Sequence, residues 1–342
     1  MNVRTLVGIA AGVVLASVAL VGQSSSDQYH APRTPWGEPD LQGIWNGNDL
    51  QGIPFQRAES LGTRTVLNDA ELQERVVRRN TLVESDNAEF SLEESEKFES
   101  FGAVGGPVSP PPHWLERAEN ISRQASFLVD PPDGRLPEMT PAARQLQADR
   151  RTTQQARRAA LGNREADSYT DRSNYDRCIS LGPLGSMTPK IYNSGNRIVQ
   201  GPGVVAFTNE MIHETRVIPT DGRPHVDSSV RSWMGNSVGR WEGDTLVVET
   251  RHVRGEVDFQ GAPLSDRGRL IERFRRVSND TIEYRMTVED PVNWTGPWTM
   301  MMRIPRDDGY GLFEYACHEG NYTMRNILSG SRAQETQDAA GR

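Results

Sequence analysis

From Asn174 onward the chain runs in short stretches that alternate apolar and polar positions or fill with β-branched and aromatic residues: VVAFTNEMIHETRVI, RWEGDTLVVET, RLIERFRRVSNDTIEYRMTVEDPVNW, PWTMMMRI and LFEYAC. Gly, Asn, Asp and Pro separate them, and Gly243-Asp244 and Asn279-Asp280 stand where tight turns belong. Strands at such short intervals, with no long helix between them, predict an antiparallel meander closed as a barrel or folded as a sandwich. In Met300-Met301-Met302 the two-residue strand period turns two methionines inward and one outward, as core packing.

Before residue 171 the pattern changes. Leu41-Gln42-Gly43-Ile44 recurs as Leu50-Gln51-Gly52-Ile53 around an Asn-Gly pair, which reads as an irregular hairpin. Asn68 to about Glu84 reads as a helix, with Asn68 and Glu71 spaced as a capping box and Leu72, Val76 and Val83 as a thin apolar stripe. ESDNAEFSLEESEKFES carries seven acidic residues and one lysine, a solvated stretch, and FGAVGGPVSPPPHWLERAE is a Gly/Pro connector. Thr140-Pro141 opens a second helix, ended by Gly162-Asn163, that is rich in arginine and poor in large apolar residues, so it packs lightly.

The expected fold class is therefore α+β: an antiparallel β-barrel or sandwich, lipocalin-like by texture only, with peripheral N-terminal helices. Its parts are a leader (1–26), a Pro/Gly-rich segment with helices (27–170), the β core domain (171–332) and a disordered tail, AQETQDAAGR (333–342).

Composition narrows the function classes. The 342 residues are 36% hydrophobic, enough for a sizeable core, and the net charge of −8 argues against binding nucleic acid or an anionic membrane surface. Arg4, the apolar run from Leu6 to about Gly22 and the polar QSSSDQ that follows read as a cleaved export signal, with an uncleaved anchor as the alternative. No other segment is apolar enough to span a membrane, so the mature protein is expected in the periplasm or secreted. In an oxidising compartment the two cysteines favour a bridge, Cys178–Cys317, closing a loop of roughly 140 residues; buried thiols or a thiol nucleophile are the competing reading.

Candidate chemistry gathers around the histidines. If Val204–Ile218 is one strand, His213 shares a face with Val205 and Phe207, as a core histidine or a catalytic one. After the turn at Pro219–Arg223 come His225, Asp227, Arg231 and Trp233, and the bridge would bring His318, Glu319 and Tyr322 to the start of the same domain. Two site readings follow. His213, His225 and His318 suffice for a divalent zinc or iron ion with one position open, although their spacing matches no short ligand motif. Without a metal, His213 or His318 acts as a general base oriented by Asp227 or Glu319, with His225, Arg231, Trp233 and Tyr322 holding the ligand. Tryptophans at strand ends add stacking faces for sugars or flat ligands, or else plug the core. No nucleophile elbow, Walker loop or dinucleotide-binding glycine pattern occurs.

TPWGEPDLQGIW, EMIHETRVIPTDGRPH, GRWEGDTLVVET and YACHEGNY resemble the recurring blocks of a family of exported, strand-rich bacterial proteins whose activity is not established. The resemblance covers most of the mature chain. It implies export and carries no catalytic roles. The leading functional expectation is an exported protein that binds a small organic molecule or glycan fragment at one end of a barrel. The alternatives are an exported metal-dependent hydrolase or lyase using the three histidines, and an envelope scaffold without pocket chemistry.

Overall fold

Ten residues of β10 (Arg269–Ser278) and nine of β11 (Thr281–Glu289) alternate buried and exposed almost without a break, joined by the Asn279-Asp280 turn. Strands are numbered in chain order in this computed structural model, which describes residues 29–88, 115–162 and 164–340. The leader, most of the acidic run, the Pro-rich connector and Trp114 lie outside the described residues. Leu270, Phe274, Ile282, Tyr284, Met286 and Val288 face one side of the hairpin, because a two-residue period against a single core admits no other register. β12 (Trp298–Pro305) pairs with β11, and β7 (Thr245–Arg251) with β10. The hairpin partner β6 (Asn236–Glu242) and the short β2 (Leu128–Asp130) close the two edges of this six-stranded sheet.

The second sheet has four strands in the order β1 (Gly43–Asn46), β3 (Gly195–Gly201), β4 (Val204–Asn209) and β5 (Thr215–Pro219). The two sheets face each other as an antiparallel sandwich, with Phe207 of one tilted on Phe274 of the other at 5.3 Å between ring centres. Together with the helices this is an α+β fold. The sheets do not close into a barrel, so the lipocalin-like alternative falls. A minor hairpin, β8 (Asp258–Phe259) with β9 (Ala262–Pro263), lies to the side. Met300 and Met302 are fully buried and Met301 partly exposed.

Residues ahead of 171 are integral to this core. The two Leu-Gln-Gly-Ile copies do not pair as a hairpin. The first enters β1, which pairs with β3 and buries Trp45, and the second buries Leu50 and Ile53 after a helical turn. Burying an indole outweighs the local preference for an Asn-Gly hairpin. Helix α1 (Asp69–Ala88) starts with reciprocal bonds, the Glu71 amide donating to Asn68 Oδ1 and the Asn68 amide to Glu71 Oε2, each at 2.9 Å. Helix α2 (Pro141–Leu161) is capped by Thr140 and buries only Ala143 and Leu161. The six-residue α3 (Gly182–Met187) is almost wholly buried.

Two further expectations change. LFEYAC forms no strand; from Gly311 to Tyr322 the chain is irregular and is held by a Cys178–Cys317 disulfide. The polar tail forms the end of α4 (Thr323–Ala340), docked where Arg164 meets Glu335 and the Ala166 amide donates to Ser331 Oγ at 3.1 Å. Among the described residues no helix is long and apolar enough to cross a membrane.

Candidate functional site

The predicted site residues fall into two separate neighbourhoods. Residues 204–218 are not one strand. A helical turn at Met211–His213 breaks the run, with Ile212 and His213 at left-handed backbone angles (φ 60° and 43°). The turn exists because Glu210 points inward, where it accepts from the Tyr310 hydroxyl (2.8 Å), the Phe313 amide (3.1 Å) and Asn193 Nδ2 (3.0 Å). His213 is therefore exposed rather than set on the apolar face, and its Nδ1 donates to the Tyr315 carbonyl at 2.9 Å. The disulfide brings His318 close, with ring centres 6.4 Å apart. His318, Glu319 and Tyr322 are all exposed.

His225 belongs to the other neighbourhood, at the edge formed by β6 and β7. Its Nδ1 donates to Asn236 Oδ1 (2.8 Å), and its Nε2 lies 3.4 Å from Glu249 Oε1. His252, which the sequence reading passed over, stands edge-on to His225 at 6.0 Å, with φ at 58°. Burial, His225 and the Arg231 and Arg251 charges hold the His252 imidazole below its ordinary value. Burial opposes the charge on Glu249, but Arg251 and Arg269 hold its carboxyl below the usual range. Asp227 accepts from the Ser229 amide and hydroxyl of its own loop, and Arg231 pairs with Asp266. Neither orients a histidine. This is an ionic network at a sheet edge, in which His225 Nε2 is buried beside Glu249 without a hydrogen-bond partner.

The three-histidine metal centre does not form, since His225 lies among partners that touch neither His213 nor His318. Among the described residues no three His, Cys, Asp or Glu side chains are placed to hold a metal ion. The aromatic stacking faces are also occupied. Trp45, Trp294 and Trp298 are core, Trp241 packs against it, and Trp233 carries the Arg254 guanidinium 4.4 Å above its ring.

A large concave feature lies elsewhere, between α1, the segment after β1, residues 117–127 and the loop 188–192. It encloses about 1610 Å³. Ile53, Phe55, Leu67, Ile121 and Phe127 make an apolar wall continuous with the core, where Phe55 meets Trp298 edge-on at 5.8 Å. Five cations line the cleft, Arg75, Arg78, Arg79, Arg117 and Lys190, together with Glu71 and Glu74. Arg75 donates through Nη1 to the Ser122 and Gln124 carbonyls, both at 2.8 Å, and burial with the nearby Arg78 charge pulls its pKa down. Lys190 donates to the Gly185 and Thr188 carbonyls at the end of α3. Lys190 keeps partial solvent contact, yet the protein packed around its ammonium brings its pKa down to about 7 against an opposing pull from Glu214.

Beside them Tyr175 shares hydroxyl contacts with Tyr192 (2.9 Å) and Tyr315 (3.4 Å), and burial pushes its phenol well up. None of these residues stood out by motif or strand face. One signal was available: Lys97 and Lys190 are the only lysines of the chain. Comparison with family profiles, curated proteins and solved structures finds no match to this chain.

Proposed function

We propose that this is an exported protein that binds a small, largely apolar organic molecule with a polar or acidic end. The site is the cleft between α1 and the sandwich rather than a barrel mouth. The cleft itself carries the reading: its volume exceeds the roughly 300–1,000 Å³ usual for drug-sized ligands, and its apolar wall is flanked by five cations, Arg75, Arg78, Arg79, Arg117 and Lys190, against two carboxylates, Glu71 and Glu74. A desolvated guanidinium beside a second cation favours an anionic group near it. Export is supported by the apolar leader with its Ser-rich exit and by the disulfide. Kinship with the exported bacterial family rests on the sequence blocks quoted above.

Calorimetric titration of the mature chain with decanoate, 2-naphthoate and their neutral amides tests this. The acids are expected to saturate one site, Arg75→Met to reduce the preference for acid over amide by about tenfold, and Leu61→Trp at the rim to weaken all four. Absence of saturable binding by all of them would sink the proposal.

A further inference from the structure

Of the 38 lysines and arginines in this chain only Lys97 and Lys190 are lysines. Arginine is the default cation here, including in the buried pair on β5 and in the cleft at Arg75. A site that needed only charge, or only donors for the carbonyls ending α3, is served by arginine, which offers five N–H groups and keeps its proton. A lysine can lose its proton and become a nucleophilic amine. Lys190 lines the cleft, and among the described residues no carboxylate pairs with its ammonium, which rests on the carbonyls of Gly185 and Thr188. Glu214, the carboxylate nearest in influence, is engaged by Ser186 Oγ at 2.6 Å and the Leu181 amide at 3.3 Å. Burial leaves the amine about half deprotonated near neutral pH, and apolar walls that limit water favour a condensation that releases it.

We infer that the Lys190 amine captures an apolar aldehyde or ketone as an imine inside the cleft. This rests on the cleft being a ligand site, as proposed above. The nitrogen lone pair attacks the carbonyl carbon to give a carbinolamine. Both amine hydrogens then leave with the former carbonyl oxygen as one water molecule, and the C=N bond forms. No oxidant or reductant takes part, so capture is reversible. Lys190 would select carbonyl compounds while the apolar wall selects their hydrocarbon part.

The test is reductive trapping with decanal and cyanoborohydride at pH 7 on the full mature protein, read by intact mass and peptide mapping. Lys190 is expected to be modified at least about tenfold faster than Lys97 and about three- to fivefold faster than the terminal amine, given its larger neutral fraction. Excess decanol should slow that labelling, and Lys190→Arg should lose it. Titration of decanol into wild type and Lys190→Arg runs in parallel. If Lys190 is labelled no faster than Lys97 while decanol still binds, the inference is overturned and the cleft remains a binding site. If neither decanol nor the acids and amides of the titration above bind, both readings fall.

Discussion

Arg216 on β5 and Glu272 on β10 form a two-bond ion pair across the sandwich, at 2.6 and 2.8 Å, with side chains 4% and 0% exposed. Tyr284 donates to the same carboxylate at 2.9 Å and Thr250 at 3.3 Å. Burial works against the Arg216 charge, but Glu272 more than restores it and raises the guanidinium pKa. Burial and then the Glu272 charge push the Tyr284 phenol well up. Removing one partner of such a pair strands the other charge at a cost of about 3–5 kcal/mol, whereas replacing both by apolar residues is often close to neutral.

Arg216→Met leaves a carboxylate that retains two hydroxyl donors, so about 3 kcal/mol is expected. Glu272→Met leaves a guanidinium facing Phe207, Tyr284 and Thr250, so the loss should approach 5 kcal/mol. Arg216→Met/Glu272→Met should fall within about 2 kcal/mol of wild type, because no charge is left behind. Urea unfolding at pH 7, followed by tryptophan fluorescence with the disulfide intact, measures all three against a total stability of about 5–15 kcal/mol. A double variant that loses the sum of the single losses would refute the reasoning, since additivity means zero coupling and neither charge would then depend on the other for its neutralisation.

Two other outcomes follow from described features. Replacing Cys178 and Cys317 by serine opens a loop with a sequence separation of 139 residues, and loop-closure entropy puts the loss at about 4–5 kcal/mol in the same urea assay. Lys190 has a folded pKa of about 7 against an ordinary 10.5, so the unfolded chain binds more protons between those values and the cost of burying the ammonium disappears as pH rises through that window. Wild type should therefore gain about 1–3 kcal/mol relative to Lys190→Met between pH 7 and 9.5; a pH-independent difference would contradict the buried-amine reading.

The sheets were readable because their signals are local. The alternation along β10 and β11, the Gly243-Asp244 and Asn279-Asp280 turns and the Asn68–Glu71 cap all act within a few residues. The break at Met211–His213 was not readable, because its one local signal, Asn209 at the end of β4, is weak inside a strand-like run; the break is imposed by Asn193, Tyr310 and Phe313 converging on Glu210 from distant segments. With that break missed, the face assigned to His213 was wrong; the metal reading failed for a separate reason, because His225 lies with Asn236 and Glu249 while His213 lies beside His318. The disulfide followed from cysteine number and compartment. The cleft could not be foreseen, since its walls come from α1, two connecting segments and the loop after α3, which only tertiary packing brings together. The tail was misread because its polarity hid a run of good helix formers that docks through Ser331 and Glu335.

β1 and β2 also constrain how the molecule can be made. Trp45 finds its register partner only when Asn196 has been synthesised, and Leu128 only when Met300 has. Each early strand completes a sheet whose other members are made later, at 195–219 for β1 and 236–305 for β2, so a ribosome releases the first half with its apolar positions still unmatched. Folding must wait for nearly the whole polypeptide, is expected to be slow for its size, and gives a chaperone that holds the unfinished chain a long interval in which to act.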